Sequence, residues 1–459
     1  MTTIFASQAL LPSGWATDVT VEIADSGRIE TVDAAAGSTP SAAIDHAVGI
    51  LLPAPVNAHS HAFQRAMAGL TERRGPDPAD SFWTWRQLMY RFLDQLNPDQ
   101  IEAITAFVQM EMLEAGFAAS VEFHYLHHQP GGEPYDNLAE TSQRVIAAAK
   151  QTGIGLTLLP VHYQYGGCDK RELGPGQIRF GNDDDRFAHL VADVETAMRS
   201  LQPDCNFGLA PHSLRAVAPA SLPKLVALAG NRPVHMHIAE QIAEVEEVQA
   251  AWGKRPVEWL LDNVDVDEQW CLIHCTQMLE HETMALAKAG AVAGLCPITE
   301  SSLGDGIFDG VRWLANDGEI AVGSDSNIRI SLCEELRTLD YTQRLRDHSR
   351  AALATPEKST ARRVFDAIVD GGARAAGRDS AGIASGAWAD LLSLDHESVD
   401  LAGRHGDMLL DCFVFAGSDC MVKDVWAAGR HCVKDGRHIA QHDICENYRS
   451  VMRQLGDLL

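Results

Sequence analysis

Eight short apolar runs alternate with longer helical patterns through the middle of the chain, and this alternation constrains the fold more than any other feature of the sequence. The apolar runs lie near residues 50–58, 117–124, 154–162, 205–212, 233–239, 270–275, 290–296 and 319–325. Segments with helical periodicity separate them, for example 98–115, 138–151 and 241–262. Because short buried strands that alternate with helices are typical of βα units, we predict an α/β fold closed into a (β/α)8 TIM barrel.

Both ends of the chain are instead rich in extended segments and turns. Residues 1–49 contain two extended segments with a turn at 25–27, and the stretch 386–438 has the same character. A chain of 459 residues is longer than a minimal barrel, so a second unit is expected. We predict that residues 1–49 and 386–459 together form a small β-sandwich-like domain with a terminal helix, and that residues 50–385 form the barrel.

The charge and the cysteine content restrict the kinds of partner and the cellular compartment that we expect. The chain carries 37 basic against 63 acidic residues, a net charge of −26, which argues against nucleic acid or an anionic membrane as partner and leaves a small molecule. Its ten cysteines are scattered without a C-x-x-C pair, which is typical of reduced thiols. The N-terminal segment has no basic start, and no apolar stretch approaches the roughly 18 residues of a membrane span. We therefore expect a cytoplasmic protein.

Two histidines follow the first apolar run in the sequence N-A-H-S-H. His59 and His61 are two residues apart, so on a strand both side chains point to the same face. Two imidazoles on one face of the first barrel strand can both reach one metal ion inside the barrel mouth. An H-x-H pair alone is a weak signal, and two ordinary polar residues at a strand end explain it equally well.

Further candidate groups follow the fifth, sixth and eighth runs. His235 and His237 share a face of the fifth run, and Glu240 lies three residues beyond His237. A histidine that holds a metal ion and a nearby carboxylate that moves protons are what metal-assisted hydrolysis needs. We expect His235 to be a packing or supporting residue rather than a ligand. His274 ends the sixth run, and Asp325 ends the eighth.

Each of these signals is modest, and their combination is specific. The candidates follow the first, fifth, sixth and eighth predicted strands, and the C-terminal ends of barrel strands converge on one mouth, where active sites are built. If these were ordinary polar residues without a function, all of them would have to lie on that rim by chance. We therefore predict a metal-dependent active site at the barrel mouth.

The order of these motifs resembles the amidohydrolase superfamily, and the resemblance covers nearly the whole chain. It is carried by the strings H-S-H, H-I-A-E, I-H-C and G-S-D. The resemblance implies that the metal is bound by His59, His61, His237 and Asp325. It also implies that the catalytic groups are Glu240, His274 and Asp325, with Glu240 and His274 handling protons.

The fourth predicted strand bears on the number of metal ions. Superfamily members with two metals usually bridge them with a carboxylated Lys, or with a Glu, on that strand, whereas here the strand ends with His212. We therefore expect one metal ion per chain. Three imidazoles and one carboxylate suit zinc, and the same ligand set also accepts iron.

Longer strings narrow the resemblance. The chain is similar to the N-formimino-L-glutamate deiminase family of histidine degradation in H-S-H-A-F-Q-R-A-M, S-F-W-T-W-R, S-V-E-F-H-Y-L-H-H, A-P-H-S-L-R-A-V and C-P-I-T-E-S-S-L-G-D-G-I-F. This resemblance implies hydrolysis of N-formimino-L-glutamate to N-formyl-L-glutamate and ammonia, and a homodimer is a family-level expectation. It implies that the substrate is contacted by Gln64, Arg86, Tyr125, His212 and Arg215.

The two arginines agree with this substrate on chemical grounds. N-formimino-L-glutamate carries two carboxylates, and the planar fork of arginine binds carboxylates bidentately. Arg215 lies three residues past His212, at the predicted rim, where specificity is built. Arg86 lies in the long segment 63–97 after the first strand, which we read as a loop. An isolated loop arginine is otherwise usually a solvated surface charge.

Aromatic residues surround Arg86 in the segment 82–90. They include Phe82, Trp83 and Trp85. The sequence is equally consistent with a lid over the active site and with a contact between subunits.

Two other functions are consistent with the metal motifs. Another deaminase of the superfamily, acting on a purine, pyrimidine or triazine ring, would use the same metal site but would not need two arginines. A non-catalytic metal-binding scaffold would leave Glu240 and His274 without a role. Ammonia release from N-formimino-L-glutamate, compared with release from guanine and cytosine, separates these functions.

Overall fold

The structure is a computed structural model that describes residues 1–34, 43–72, 82–379 and 381–456. The side chains of Phe82 and Trp83, part of the predicted aromatic cluster, lie outside the described residues. All ten cysteines are free thiols. None of the helices in these ranges is both long and apolar enough to cross a membrane.

The chain begins with four strands that contribute to a terminal sheet. They are β1 (Thr2–Leu11), β2 (Gly14–Ile23), β3 (Ile29–Asp33) and β4 (His46–Pro53). β1 pairs antiparallel with β2 and parallel with β4. The antiparallel pair β1–β2 is joined by a tight turn that ends at Gly14, whose φ of 113° lies in a region that residues with a side chain rarely adopt.

Parallel strands form the middle of the chain. They are β5 (Val56–Ser60), β6 (Ala119–His124), β7 (Gly155–His162), β8 (Asn206–Phe207), β9 (Ala210–Pro211), β10 (Val234–Ile238), β11 (Trp270–His274), β12 (Val292–Leu295) and β13 (Glu319–Val322). One sheet has the order β5-β6-β7-β8, with β9 also paired to β7, and the other has the order β10-β11-β12-β13. Each neighbouring pair in both sheets is parallel.

Backbone bridges join the two sheets into a barrel. Leu209 pairs with Val234 between the fourth unit and β10, and Ser60 pairs with Asp325 between β5 and the residues that follow β13. In the described part of the chain, the barrel therefore has eight parallel strands when the split pieces β8 and β9 are counted as one. The predicted barrel is confirmed, and each predicted apolar run contains all or part of one of its strands.

The first apolar run, 50–58, is the exception to a one-to-one match. It was expected to be a single strand, but it contains the end of β4 and the start of β5. β4 ends at Pro53, and Pro55 lies between the two strands, because proline has no N–H to donate to a sheet. The chain thus passes from the terminal sheet into the barrel within two residues.

Helices follow the barrel strands and pack outside them. They are α1 (Phe82–Leu93), α2 (Pro98–Glu114), α3 (Glu140–Thr152), α4 (Asp184–Met198), α5 (Leu222–Ala229), α6 (Ile242–Trp252), α7 (Pro256–Asn263), α8 (Glu280–Ala289), α9 (Pro297–Leu303), α10 (Gly310–Ala315), α11 (Leu332–Asp347) and α12 (Thr360–Ala375). Short 3₁₀ turns cover Ala62–Met67 and Ile178–Phe180. The helix predicted over 241–262 is two helices, because Gly253 ends α6 with a left-handed φ of 76° and Pro256 begins α7.

The C-terminal segment returns to the terminal sheet. It contains β14 (Leu391–Leu394), α13 (Asp407–Asp411), β15 (Val422–Ala427), β16 (Arg430–Lys434), β17 (Arg437–His438) and α14 (Gln441–Gly456). β14 pairs antiparallel with β4, so both chain ends build one sheet of order β17-β16-β15-β14-β4-β1-β2-β3. The terminal helix α14 packs on α2, where the rings of Phe107 and Tyr448 stack 3.9 Å apart. The domain boundaries at 49/50 and 385/386 stay predictions.

Candidate active site

The backbone turns sharply where three of the barrel strands end. Ala239 after β10, His274 at the end of β11 and Asp325 after β13 have φ values of 50°, 72° and 47°. A residue with a side chain in this left-handed region costs about 1–3 kcal/mol, and such residues cluster at functional sites. These turns re-aim the side chains at the strand ends, and they coincide with the region where the sequence predicts the catalytic groups.

The first and eighth strands are locked together at their C-terminal ends. The N–H of Asp325 donates to the carbonyl of His59 at 2.9 Å, and the N–H of His61 donates to the carbonyl of Asp325 at 2.9 Å. Gly323 permits this approach, because a Cβ on it would lie 2.5 Å from the backbone nitrogen of His59. His59 and His61 are thereby held beside Asp325, which is far from them in the sequence.

Four buried side chains meet at this point. Ligand-capable atoms of His59, His61, His237 and Asp325 all lie within 4.8 Å of one another. Nε2 of His59 is 3.1 Å from Nε2 of His237, and Asp325 Oδ1 is 3.4 Å and 3.3 Å from Nε2 of His59 and His61. Such convergence of three imidazoles and one carboxylate is the donor set of a metal site.

Backbone carbonyls set the orientation of two of these imidazoles. Nδ1 of His61 donates to the carbonyl of Phe123 at 3.0 Å, and Nδ1 of His237 donates to the carbonyl of His212 at 3.1 Å. A carbonyl only accepts, so the proton of each neutral ring is on Nδ1. The lone pair of each ring is therefore on Nε2, which faces the cluster.

The charge states of the four residues fit a divalent cation. Burial lowers the pKa of His59 to about 3 and also lowers the pKa values of His61 and His237. Burial opposes ionisation of Asp325, but the hydrogen bond from His59 and the nearby imidazoles bring the pKa of Asp325 below its usual value. Neutral imidazoles and an ionised carboxylate are the states that bind zinc.

The two predicted proton-handling residues face each other beside this cluster. Nε2 of His274 lies 3.7 Å from Oε1 of Glu240 and 3.9 Å from Oδ2 of Asp325. Burial raises the pKa of Glu240, against the opposing effect of His274. Burial alone would lower the pKa of His274, but Glu240, Glu300 and Asp325 raise it to about 10. A buried imidazole and carboxyl whose pKa values are both raised in this way are suited to proton transfer.

A cavity with about 530 Å³ of empty space, part of it open to solvent, lies over these groups. Apart from His59, which lies behind it, all the residues predicted for the site line this cavity. Those lining residues are His61, Gln64, Arg86, Tyr125, His212, Arg215, His237, Glu240, His274 and Asp325. The assignment of roles to them stays a prediction.

Arg86 lies on a helix and not in a loop as expected. Residues 82–93 form α1, and Trp85, Met89 and Tyr90 of this helix line the cavity with Arg86. Trp85, Met89 and Phe92 recur at helical spacing in this segment, a signal that was not used when Arg86 was placed in a loop. Nη2 of Arg86 donates to the hydroxyl of Tyr163 at 2.7 Å.

The other predicted substrate contacts come from three different elements. Gln64, in the 3₁₀ turn after β5, donates through Nε2 to the hydroxyl of Tyr125 at 2.9 Å. The ring of His212 lies 5.0 Å from the ring of His237 and 6.0 Å from that of Tyr125. Arg215 is buried, with 6% of its surface exposed. The barrel thus gathers the predicted residues around a single space.

His235 does not belong to the metal cluster. Its Nε2 donates to the carbonyl of Ala375 at 2.7 Å, and its side chain is fully buried. It supports the barrel wall against α12, in agreement with the supporting role expected from the sequence.

Three residues of this region were not predicted from the sequence. Oε1 of Glu300 lies 3.3 Å from Nδ1 of His274, and Nε2 of Gln177 donates to the hydroxyl of Tyr163 at 2.8 Å. Tyr163 directly follows β7, so the rule that strand ends carry functional groups could have found it. Glu300 lies inside one of the strings that carry the family resemblance, whereas Gln177 lies in a long connection that gives no signal.

Comparisons with known proteins agree with this geometry. Residues 50–432 match the amidohydrolase family, and residues 1–43 match the N-terminal domain of formimidoylglutamate deiminase HutF. Formimidoylglutamate deiminase of Pseudomonas aeruginosa is 46% identical over 468 aligned positions that cover 100% of both chains. A 5-methylthioadenosine/S-adenosylhomocysteine deaminase of Natronomonas pharaonis is 26% identical, covering 99% of this chain and 97% of the relative. The crystal structure of an amidohydrolase from Brucella melitensis superposes with a TM-score of 0.95 at 45% identity, covering 99% of this chain and 100% of that one.

Proposed function

The chain belongs to the amidohydrolase family, and from that membership we propose that it hydrolyses N-formimino-L-glutamate to N-formyl-L-glutamate and ammonia. One observation carries this proposal: Arg86 and Arg215 line the same cavity as His61, His237 and Asp325. A dicarboxylate substrate needs cationic, bidentate donors beside the reacting group, whereas a neutral ring does not. The 46% identity to the formimidoylglutamate deiminase of Pseudomonas aeruginosa supports the same substrate.

One zinc ion per chain is the metal of this proposal. The four residues His59, His61, His237 and Asp325 would hold it, because their donor atoms converge and their charge states suit it. The bound ion would act as a Lewis acid and lower the pKa of a water molecule toward neutrality. Iron is compatible with the same donor set.

Glu240 and His274 move the protons, with Asp325 beside them. The attacking water gives up a proton to this group as its oxygen bonds to the formimino carbon. Glu240 then delivers a proton to the nitrogen that leaves. The separations between His274 and the two carboxylates, 3.7 Å and 3.9 Å, are longer than a hydrogen bond, so a proton would pass among the three groups through one water molecule or after a small approach.

Two C–N bonds of the tetrahedral centre compete for cleavage. Loss of the terminal nitrogen gives ammonia and N-formyl-L-glutamate, whereas loss of the other nitrogen gives formamide and glutamate. The nitrogen that receives a proton is the better leaving group. Because Arg86 and Arg215 would hold the two glutamate carboxylates, the small terminal nitrogen is the one directed at Glu240.

A second candidate function is deamination of an adenosine-like ring, which the relative of Natronomonas pharaonis favours. The metal cluster would serve both reactions. The ring substrate leaves two cavity arginines unexplained, so we rank it below the dicarboxylate.

Proton NMR and ammonia release on the metal-loaded protein test the proposal. N-formimino-L-glutamate should give a formyl signal on glutamate with one equivalent of ammonia. Formamide with free glutamate would mean that the other nitrogen receives the proton, and the role proposed for Glu240 would be wrong. Release of ammonia from 5-methylthioadenosine, guanine or cytosine, and not from N-formimino-L-glutamate, would favour the ring deaminase. Tightly bound metal without turnover of any amidine would indicate a non-catalytic metal-binding scaffold.

The expectations about partners and location stay predictions. A homodimer, a cytoplasmic location and the absence of nucleic-acid or membrane partners rest on the resemblance and on the net charge of −26. Light scattering of the purified chain would decide the first of these.

A further inference from the structure

Tyr163 is a cavity residue to which the reaction has so far given no role. It directly follows β7, 2% of its surface is exposed, and it lines the same cavity as the predicted substrate contacts. Its ring packs edge-on against the ring of His212 at 4.5 Å and against that of Phe180 at 5.6 Å. These contacts hold the ring in one orientation.

The hydroxyl oxygen of Tyr163 accepts two hydrogen bonds. Nη2 of Arg86 donates to it at 2.7 Å, and Nε2 of Gln177 donates to it at 2.8 Å. A guanidinium has no acceptor, so Arg86 cannot receive the phenolic proton. Both lone pairs of the oxygen are therefore occupied by donors.

The orientation of the Gln177 amide is fixed independently. Its Oε1 accepts from the backbone N–H of Gly174 at 3.0 Å, and a backbone N–H is only a donor. Nε2 is consequently the end that faces Tyr163, and it cannot accept the phenolic proton either. Among the described residues no acceptor for the O–H of Tyr163 is found.

We propose that the Tyr163 hydroxyl donates a hydrogen bond to a substrate carboxylate, the one that Arg86 also binds. This inference rests on the proposed function and deepens it. When both lone pairs of a buried hydroxyl accept hydrogen bonds from the protein, its proton remains available to donate to a ligand. Leaving such a buried donor without an acceptor costs about 1–3 kcal/mol. Arg86 and Tyr163 thus present donors to one group, and that group must be an acceptor, as a carboxylate is.

Steady-state kinetics of Tyr163→Phe in the metal-loaded protein is the first test. The ring and its packing remain, while the O–H is lost. A hydrogen bond to a charged group is worth about 1.5–3 kcal/mol, so we expect kcat/KM for N-formimino-L-glutamate to fall roughly 10- to 100-fold, mainly through KM, with unchanged metal content. Tyr165→Phe is the matched control: this tyrosine lies two residues on, outside the cavity lining, and should keep wild-type kinetics. Wild-type KM in Tyr163→Phe would overturn the proposal.

A double-mutant cycle with Arg86→Met separates donation to the substrate from mere positioning of Arg86. Tyr163→Phe also removes the acceptor for Arg86, and that alone could raise KM. If Tyr163 donates to the substrate, its penalty persists in the Arg86→Met background. A penalty that vanishes there would mean that Tyr163 acts only through Arg86, and the proposal would be wrong.

Substrate analogues identify the contact and distinguish the two possible failures. N-formimino-4-aminobutyrate lacks the α-carboxylate, and N-formimino-2-aminobutyrate lacks the side-chain carboxylate. The penalties of Tyr163→Phe and Arg86→Met should both disappear with the same analogue. Equal Tyr163→Phe penalties on both analogues would refute the contact. If the wild type does not turn over N-formimino-L-glutamate at all, the proposed function itself fails and the Tyr163 contact falls with it.

Discussion

The carboxylate of Glu300 lies 3.3 Å from Nδ1 of His274, while Nε2 of the same ring faces Glu240 at 3.7 Å. Glu300 is held in place by the backbone N–H of Cys296, which donates to its Oε1 at 2.8 Å. A carboxylate on Nδ1 keeps the proton on that nitrogen and favours the protonated ring. Against burial, which would lower it, Glu240, Glu300 and Asp325 together raise the pKa of His274 to about 10.

We predict from this contact that Glu300→Gln shifts the basic limb of the kcat profile toward lower pH. The amide keeps the size of the side chain but removes the charge that stabilises protonated His274, so the ring loses its proton at lower pH. We expect kcat at neutral pH to fall at least about 10-fold, as for loss of a charge-assisted hydrogen bond. Metal analysis should give wild-type content, and Glu268→Gln, at an exposed position, is the control. An unshifted profile would contradict the role of Glu300.

His237→Ala should lose metal and activity together. The four candidate ligands form one cluster, so removing an imidazole weakens the whole site. Elemental analysis of the wild type is expected to give one metal ion per chain. Two tightly held ions per active chain would show that the mononuclear assignment is wrong.

Substitution of either cavity arginine should weaken substrate binding without loss of metal. We expect Arg86→Met and Arg215→Met each to lower kcat/KM by roughly 10- to 100-fold, because each removes a charge-assisted contact to a carboxylate. Steady-state kinetics with metal analysis measures this. Arg199→Met, at an exposed arginine directly after α4, serves as the control. Wild-type kinetics in both cavity variants would remove the arginines from the site.

Gly323→Ala should disturb the metal site although it replaces none of the four metal ligands. The added Cβ would lie 2.5 Å from the backbone nitrogen and 2.7 Å from the Cβ of His59, so the first and eighth strands must separate. We expect metal content per chain to fall well below that of the wild type. Gly456→Ala, where a Cβ would meet nothing within 4 Å, should keep its metal. Full metal content in Gly323→Ala would show that the first and eighth strands can separate at this point without loss of the metal site.

The stability of the protein should fall on acidification, in part because of His162. This buried imidazole bonds to Asp184 at 3.1 Å, and burial, outweighing Asp184, lowers its pKa to about 4 from 6.5. Between pH 6.5 and 4 the unfolded chain binds a proton that the folded chain does not, so the stability present above pH 6.5 is lost as the pH falls toward 4. One such proton changes the free energy of unfolding by about 1.4 kcal/mol per pH unit.

Urea unfolding of the metal-free chain at several pH values measures this dependence. His162→Gln keeps a donor for Asp184 but does not titrate, so its stability should depend less steeply on pH, by up to about 1.4 kcal/mol per unit near pH 5. His189→Gln, at an exposed position on α4, is the matched control. Equal slopes for wild type and His162→Gln would contradict the assignment.

Periodicity and motif order were enough to predict the barrel and the residues that gather at its mouth. Each strand can be predicted from its own apolar run, because burial on both faces makes a parallel strand apolar throughout. His59, His61, His237 and Asp325 could be placed together from the sequence because the closed barrel brings all strand ends to one rim. The resemblance to a known family supplied the roles of Gln64 and Tyr125, which no spacing indicates.

The tertiary structure alone decided the contacts that depend on three-dimensional approach. The pairing of Glu300 with His274 joins two βα units, and that of Gln177 with Tyr163 joins two ends of the long connection between β7 and α4; no local pattern encodes either contact. The helix that carries Arg86 was read as a loop although Trp85, Met89 and Phe92 recur at helical spacing, so this error did not arise from a tertiary contact. Local periodicity thus determined which segments become strands and where they end, whereas the hydrogen-bond partners that orient the chemical groups were decided by packing between distant segments.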